Sequence, residues 1–229
     1  MNTIFRNGML SVAGLVMTGG AVAAPALAAQ ATPAEKAASV VSDQGRDKGE
    51  GRDNSKDKGN SKDQSRAGYE YQAQPNFYYC GPTSTGMALS AAAGKTVSLD
   101  ELAEKLGTTE NGTDSAFDIT RVLNEYTDGK YKTTELSTDV ASKEQIERLR
   151  ADVKAAVAAG EPIVANVLGN AYDVDGNVRG FPGHYVTVVE YKDNGNTVKI
   201  ADPAAPDVQE YWMETAELAN WIAGRGYSS

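Results

Sequence analysis

The chain has 229 residues, one cysteine, one histidine and a formal net charge of −9 at neutral pH. A chain of this length accommodates one domain of about 160 residues with its own core, together with leader segments. Residues 69–229 carry 13 basic and 24 acidic side chains, and this acidic excess excludes a surface for nucleic acid or anionic lipid.

Residues 1–28 have the pattern of a secretory signal peptide. Arg6 precedes an apolar run from Met9 to Val22, and Ala26-Leu27-Ala28 forms a small-x-small cleavage site. The run is shorter than the roughly 20 apolar residues of a membrane-spanning helix, and small residues follow it instead of a basic flank. We therefore expect a secreted protein, extracellular or on the exterior of the cell envelope, with no membrane span after signal cleavage.

Residues 29–68 are predicted to be a disordered, charged linker. From Asp43 to Arg66 there are seven basic and six acidic side chains, with almost no apolar residues among them. Such a segment buries too little apolar surface to offset the entropy lost on ordering. We interpret it as a solvated tether, and a cleavable inhibitory pro-segment is the alternative. The folded domain is then expected over residues 69–229.

Helix signals dominate the first half of this domain. Pro82 suits the first turn of a helix that begins at Cys80, and Gly94 can end that helix. Ser98 and Glu101 form a capping-box pattern at the start of a second helix. Apolar spacing predicts a third helix over 117–126 and a longer fourth helix over 142–157.

Strand signals follow the helices. Residues 163–168, 184–191 and 197–201 are rich in β-branched and aromatic side chains, and Asn194-Gly195 predicts a hairpin turn between the last two. Leu218, Trp221 and Ile222 indicate a final amphipathic segment. Helices first and an antiparallel sheet afterwards indicate an α+β fold.

The single cysteine is the first candidate for chemistry. Cys80 has no partner for an internal disulfide, and its predicted place at a helix N-terminus favours the thiolate. A cysteine nucleophile needs a base beside it, and the chain offers one histidine, His184. A buried structural cysteine and a satisfied core histidine are the alternatives.

Asp202 is expected near His184 because both flank the predicted hairpin. The strand that starts at His184 turns at Asn194-Gly195 and returns to end before Asp202-Pro203, so the two residues meet at one end of the hairpin. A carboxylate there could fix the imidazole tautomer. Gln74, six residues before Cys80, could donate its amide to an oxyanion together with the Cys80 backbone amide. Gln72 is the rival for that position.

These residues resemble a known family. Gln74, Cys80-Gly81-Pro82, Gly183-His184-Tyr185 and Asp202-Pro203 resemble the papain-like cysteine peptidases related to the bacteriocin-processing double-glycine peptidases, in the stand-alone branch called family thirty-nine-like. The resemblance covers residues 70–226 and implies a nucleophile helix packed on a C-terminal antiparallel sheet. It further implies Cys80 as nucleophile, His184 as general base and acid, Asp202 as its orienter and Gln74 as oxyanion donor. Cleavage of double-glycine leaders is not implied, because the chain has no attached transporter segments.

Three functions are compatible with this pattern. The first is a thiol hydrolase that cuts peptide bonds in a peptide or protein substrate through a thioester acyl-enzyme. The second is an acyltransferase with the same residues, and the third is an exported binding module without catalysis. We expect a monomer without metal or cofactor. Cys80 and His184 alone cannot form a zinc set, no phosphate-binding glycine loop occurs, and Asp173–Asn177 has the pattern of a hairpin turn.

Overall fold

The computed structural model describes residues 63–229. The predicted signal peptide and residues 29–62 of the predicted linker lie outside the described residues. The described chain has an α+β fold with five helices and a seven-stranded antiparallel sheet. The helices are α1 Cys80–Ala92, α2 Leu99–Leu106, α3 Ala116–Thr127, α4 Lys143–Ala158 and α5 Thr215–Ile222. The strands are β1 Ser65–Arg66, β2 Thr133–Glu135, β3 Ile163–Tyr172, β4 Val178–Lys192, β5 Thr197–Ala201, β6 Glu210–Glu214 and β7 Gly226–Ser228.

The predicted helices are confirmed, and their ends follow local capping chemistry. The Ser98 side chain accepts a hydrogen bond from the Glu101 backbone N–H at the start of α2. Ser142 and Gln145 form a complete capping box at the start of α4. Helix α3 ends at Asp128, which adopts the left-handed conformation with φ 56°.

The sheet is covered by helices on both faces. Its strand order is β2-β7-β3-β4-β5-β6, and the short β1 pairs with β4. Side chains of β3 alternate between two apolar clusters, as expected for a strand buried on both sides. Ile163, Ala165 and Val167 pack with α4 and α5, whereas Val164 packs with α1, α2 and α3. The helix that begins at Cys80 therefore lies on one face of the C-terminal sheet.

Strands β3 and β4 extend further than the sequence predicts. They continue as an outer hairpin whose turn is closed by a hydrogen bond from the Asp173 N–H to the Asn177 carbonyl oxygen. The expectation that His184 opens its strand is therefore wrong, because His184 lies inside β4. Pro182 and Gly183 gave the misleading signal. They lie where the β3–β4 register shifts between Val167 and Gly169, and an irregularity of this kind tolerates proline within a strand.

The first described strand lies before residue 69. Arg66 pairs with Glu190 of β4, and Ala67, which is buried, donates its N–H to the Val189 carbonyl oxygen. The Arg66 guanidinium also forms ion pairs with Glu190 and Glu210. Residues that the sequence assigned to the linker thus join the sheet. Within residues 63–229 no helix has the length and apolar character needed to cross a bilayer.

Helix α1 is attached to β4 by two buried hydrogen bonds. The Ser84 hydroxyl donates to the Tyr185 carbonyl oxygen at 2.9 Å, and the Thr187 hydroxyl donates to the Ser84 carbonyl oxygen at 3.2 Å. Both bonds lie within the first two turns of α1. They fix the start of the helix, where Cys80 lies, relative to His184 on the same strand.

Gly81 permits a close approach to the N-terminus of α1. A β-carbon placed on Gly81 would lie 2.3 Å from the Thr113 hydroxyl oxygen and 2.9 Å from the Thr113 β-carbon. The Thr113 hydroxyl also shares a 2.7 Å hydrogen bond with the Thr108 hydroxyl, which restricts its freedom to move away. The contact therefore requires glycine at the residue that follows Cys80.

Gly81→Ala is expected to lower the free energy of unfolding by about 1–3 kcal/mol, because overpacking a filled site has costs of this size. Removing the Thr113 side chain should relieve the clash, so Gly81→Ala in a Thr113→Gly background should cost much less than in the native background. Chemical denaturation of the four proteins measures this coupling. Additive effects of the two substitutions would contradict the proposed contact.

Candidate active site

Cys80 is the first residue of α1 and is 6% exposed. The His184 side chain and the backbone N–H groups of Tyr185 and Gly81 favour the negative charge of its thiolate and so act to lower the pKa of Cys80. The unpaired amides at a helix N-terminus favour a negative charge at this place. The position predicted from the sequence is confirmed.

His184 and Asp202 are in direct contact. The His184 Nε2 atom lies 2.8 Å from the Asp202 Oδ1 atom, and both side chains are almost fully buried. The β4–β5 register places Thr187 opposite Ala201. His184 lies three residues before Thr187 and Asp202 lies one residue after Ala201, so both lie at the same end of the hairpin. With Nε2 bonded to Asp202, the Nδ1 atom is left to face the thiol. The structure therefore brings together three of the four predicted site residues in the order Cys80, His184, Asp202.

The Asp202 carboxylate has several further partners. Its Oδ1 atom accepts a 2.9 Å hydrogen bond from the Ala204 N–H, and its Oδ2 atom accepts one of 2.9 Å from the Tyr211 hydroxyl. The Tyr71 hydroxyl donates to the Asp202 backbone carbonyl oxygen at 3.0 Å. These bonds hold a buried carboxylate in one orientation, which offsets the cost of removing it from water.

An aromatic ring supports the imidazole from the side. The Phe181 ring stacks on the His184 ring with centroids 3.9 Å apart and an angle of 22° between their planes. Trp221 of α5 lies 6.1 Å from Phe181, between centroids. Since one nitrogen of His184 is held by Asp202 and one face by Phe181, the ring has a single orientation towards Cys80.

The pKa values of the three groups favour a charged pair. Burial raises the pKa of the Cys80 thiol, but the hydrogen bond and charge of His184 outweigh burial and bring that pKa below its ordinary value. Burial lowers the pKa of His184, but Asp202 and Cys80 outweigh this and raise it to about 9. For Asp202, burial is opposed mainly by His184, so its pKa is lowered. These directions favour a thiolate beside an imidazolium.

Gln74 lies beside the loop that carries Asp202. Its backbone N–H donates to the Pro203 carbonyl oxygen at 3.0 Å, and its side-chain Nε2 atom donates to the Asn76 carbonyl oxygen at 2.7 Å. An amide NH₂ group has two hydrogens, so one remains for another acceptor. The Gln74 Oε1 atom is buried without a hydrogen-bond partner among the described residues. The role of Gln74 as oxyanion donor stays a prediction.

The side chain of Gln72, the rival for the oxyanion position, packs against α1 at some distance from Cys80. A β-carbon placed on Gly86 would be 3.6 Å from the Gln72 Nε2 atom, so this amide packs against α1 about six residues beyond Cys80. Six helical residues correspond to about 9 Å along the axis. The position of Gln72 therefore does not suit a donor at the thiol.

Cys80 and His184 open onto a cleft of about 410 Å³. Its aromatic rim includes Phe77, which is 81% exposed, and Tyr78. The charged residues that line it are Glu110, Asp114 and Arg225. Among residues 63–229 no cluster of three histidine, cysteine or acidic side chains is arranged to hold a metal ion.

Sequence reasoning missed the aromatic residues that support the site. Tyr211 lies on β6, and the Arg179 guanidinium carbon lies 4.1 Å from the centroid of its ring. Arg179 also forms an ion pair with the buried Asp173. Phe181 precedes the strand that the sequence predicts over 184–191, and its stacking on the imidazole was not predicted. Each reaches the site through long-range pairing of strands, and a local sequence pattern does not report such pairing. The Phe181-Pro182-Gly183 run next to His184 was the one available signal.

The family follows from a sequence comparison. Residues 66–229 match the model of the Peptidase_C39 like family, which is most of the chain and contains all four predicted site residues. The chain belongs to this family. It is therefore a member of a family of cysteine peptidases. No curated protein matches the chain at a significant level.

Solved structures share this fold at low sequence identity. A candidate C39-like peptidase from Bacillus anthracis is 16% identical with a TM-score of 0.50, and the match covers 72% of this chain and 96% of that one. The peptidase domain of Streptococcus ComA, an ABC transporter involved in quorum sensing, is 19% identical with a TM-score of 0.45, covering 70% and 96%. A double glycine motif protease, solved in complex with its leader peptide, is 17% identical with a TM-score of 0.44, covering 71% and 91%.

The pKa of His184 can be measured without ambiguity, because it is the only histidine in the chain. In untagged protein we expect its NMR titration to have a midpoint at about pH 9. Cys80→Ala and Asp202→Asn should each lower the midpoint, since each removes one of the two groups that favour the imidazolium.

A control for this titration is Asp152→Asn. It removes a carboxylate hydrogen-bonded to Tyr227 and not to His184, and should leave the midpoint unchanged. A wild-type midpoint near the reference value of about 6.5 would contradict the arrangement of Cys80, His184 and Asp202.

Proposed function

We propose that this protein is a secreted cysteine peptidase that hydrolyses peptide bonds through a thioester acyl-enzyme. The observation that carries the proposal is that Cys80, at a helix N-terminus, lines one cleft together with His184, whose other side is hydrogen-bonded to Asp202. Membership of a cysteine peptidase family supports the same reaction class. Secretion rests on the sequence pattern of residues 1–28, and a monomeric state is part of the proposal.

In the proposed acylation step the Cys80 thiolate attacks the carbonyl carbon of the scissile peptide bond. The carbonyl oxygen becomes an oxyanion, which accepts hydrogen bonds from the Cys80 backbone N–H and the free Gln74 amide hydrogen. As the C–N bond breaks, the His184 imidazolium gives its proton to the departing amine. The products of this step are a thioester on Cys80, a free amine and a neutral His184.

Deacylation returns the enzyme to its starting state. Neutral His184 removes a proton from a water molecule, and the resulting hydroxide attacks the thioester carbonyl carbon. The C–S bond breaks, the carboxylic acid product leaves and releases its proton to solvent, and the Cys80 thiolate forms again beside the His184 imidazolium. Asp202 keeps the Nε2–H tautomer and stabilises the imidazolium in both steps.

The cleft favours an extended peptide over a compact small molecule. It combines the exposed ring of Phe77 and the half-buried Tyr78 with polar lining groups, among them Asn166, whose amide donates to the Tyr185 hydroxyl at 3.0 Å. A groove with apolar and hydrogen-bonding walls suits a chain of alternating side chains and amides. The substrate in this proposal is therefore a peptide or an unfolded segment of a protein.

The direct test is digestion of a peptide library by the purified protein, with products identified by mass spectrometry. Wild-type protein should cut peptides and lose this activity with a thiol-blocking reagent, and Cys80→Ala should be inactive while remaining folded. Gln74→Ala should lower kcat by about 100-fold with little change in KM, because its donor acts mainly in the transition state. Gln72→Ala is the matched control and should remain near wild-type activity.

The outcomes distinguish the other candidate functions. Products carrying an added amine, formed faster than hydrolysis products, would replace the hydrolase with an acyltransferase that has the same residues. Turnover by Cys80→Ala would place the nucleophile elsewhere. Absence of any thiol-dependent product from wild-type protein would leave a binding module in place of an enzyme.

A further inference from the structure

Arg225 lies on a short loop that the backbone holds firmly at the cleft. The loop joins α5 to β7, and its Gly224 N–H donates to the Leu136 carbonyl oxygen while the Leu136 N–H donates to the Arg225 carbonyl oxygen, each at 2.7 Å. Gly224 has φ +75°, and a β-carbon on Gly226 would lie 2.8 Å from the Thr134 carbonyl oxygen. The loop therefore requires both glycines, and the backbone of Arg225 between them is held in one position.

Arg225 lines two cavities. One is the cleft that contains Cys80 and His184, and the other is a neighbouring cavity of about 240 Å³. Asp114 and Asn166 also line both. Arg225 therefore lies where the two cavities adjoin, within the surface that an extended ligand of Cys80 would cover.

The guanidinium of Arg225 has no carboxylate partner among the described residues. The Arg225 Nε atom is buried and makes no hydrogen bond there. Every other arginine between residues 63 and 229 has a carboxylate oxygen within 4.0 Å; these are Arg66, Arg121, Arg148, Arg150 and Arg179. In a domain with a large excess of acidic side chains, an arginine without such a partner is unexpected.

The nearest acidic residues define the field around Arg225. Glu110 and Asp114 line the cleft and Glu135 lines the second cavity. None of these three carboxylates has an oxygen within 4.0 Å of a guanidinium nitrogen of Arg225. The positive charge of Arg225 acts on Tyr185, the residue after His184. Burial is the main cause of the raised pKa of Tyr185, and Arg225 is the positive group that opposes the rise. A cation is therefore available to a ligand close to the reacting thiol.

We propose that Arg225 is a specificity-determining residue that binds a carboxylate of the peptide ligand. A guanidinium presents a planar set of N–H donors that matches a carboxylate, and a buried donor without a partner is costly until a ligand supplies an acceptor. Glu110, which lines the cleft but not the second cavity, repels a carboxylate in that part of the cleft, so the preference is restricted to the position beside Arg225. The carboxylate belongs to an aspartate or glutamate side chain or to a free peptide C-terminus. This inference rests on the proposed function.

Binding to the Cys80→Ala protein tests the subsite without any need for turnover. One set of blocked alanine pentapeptides carries a single glutamate moved through the five positions, and its matched set carries glutamine. A further pair is pentaalanine with a free or an amidated C-terminus. NMR titration should show that an acidic peptide binds at least about 10-fold more tightly than its neutral counterpart, the effect of a charge-assisted hydrogen bond.

The variants assign the effect to Arg225. Arg225→Gln should abolish the preference, and Arg225→Lys, which keeps the charge without the planar donors, should keep part of it. Lys132→Gln makes the same change in net charge at an exposed residue outside this cleft and should keep the full preference. The glutamate set and the C-terminal pair separate the two sources of the carboxylate.

Equal binding of acidic and neutral peptides in both comparisons would overturn the subsite, as would absence of binding at millimolar concentration. A preference that persists in Arg225→Gln, or that Lys132→Gln also removes, would overturn it as well. Failure of the proposed peptidase is a separate observation, namely wild-type protein that cuts no peptide in the library digest.

Discussion

The packing of α1 against β4 determines whether Cys80 and His184 can react with each other. Cys80 is the first residue of α1. Two hydrogen bonds join Ser84 to Tyr185 and Thr187, and they fix the position of α1 along β4. Near-attack geometry tolerates little error, so a shift of one helical residue would move the thiol out of reach of the imidazole. Gly81 serves the same end, since its missing side chain lets the Thr113 loop close over the helix start.

A second constraint is the cost of keeping charges in a nearly dry site. Burial opposes ionisation of Cys80, His184 and Asp202 alike, so a charged pair in this site requires partners for each charge. Asp202 is bonded to a ring nitrogen, a backbone amide and the Tyr211 hydroxyl. The stack of Phe181 on His184 excludes water from one face of the imidazole. The proposed chemistry thus depends on residues from β4, β6 and the loop after β5 as much as on Cys80 itself.

The sequence predicted what local signals report. The capping-box pattern at Ser98 located α2, apolar spacing located α3 and α4, and the Asn194-Gly195 turn was sufficient to bring Asp202 to His184. The short strands β2, β6 and β7 gave no comparable signal, because three to five residues that pair with distant partners lack a local period. Tyr211 and Arg225 were missed for that reason, since β6 and the start of β7 bring them to the site. The start of β4 was predicted wrongly because proline usually marks a strand end. Here Pro182 lies within the strand, at a register shift.

The rate of Cys80 alkylation against pH tests most directly whether Cys80 and His184 form a thiolate–imidazolium pair. Cys80 is the only cysteine, so intact mass after iodoacetamide treatment reports on it alone. Wild-type protein should be alkylated rapidly at pH 6, and in His184→Ala the reactivity should return towards that of an ordinary thiol with a pKa of about 8.5. Identical curves for both proteins, rising only near that reference pKa, would contradict the pairing and with it the proposed peptidase.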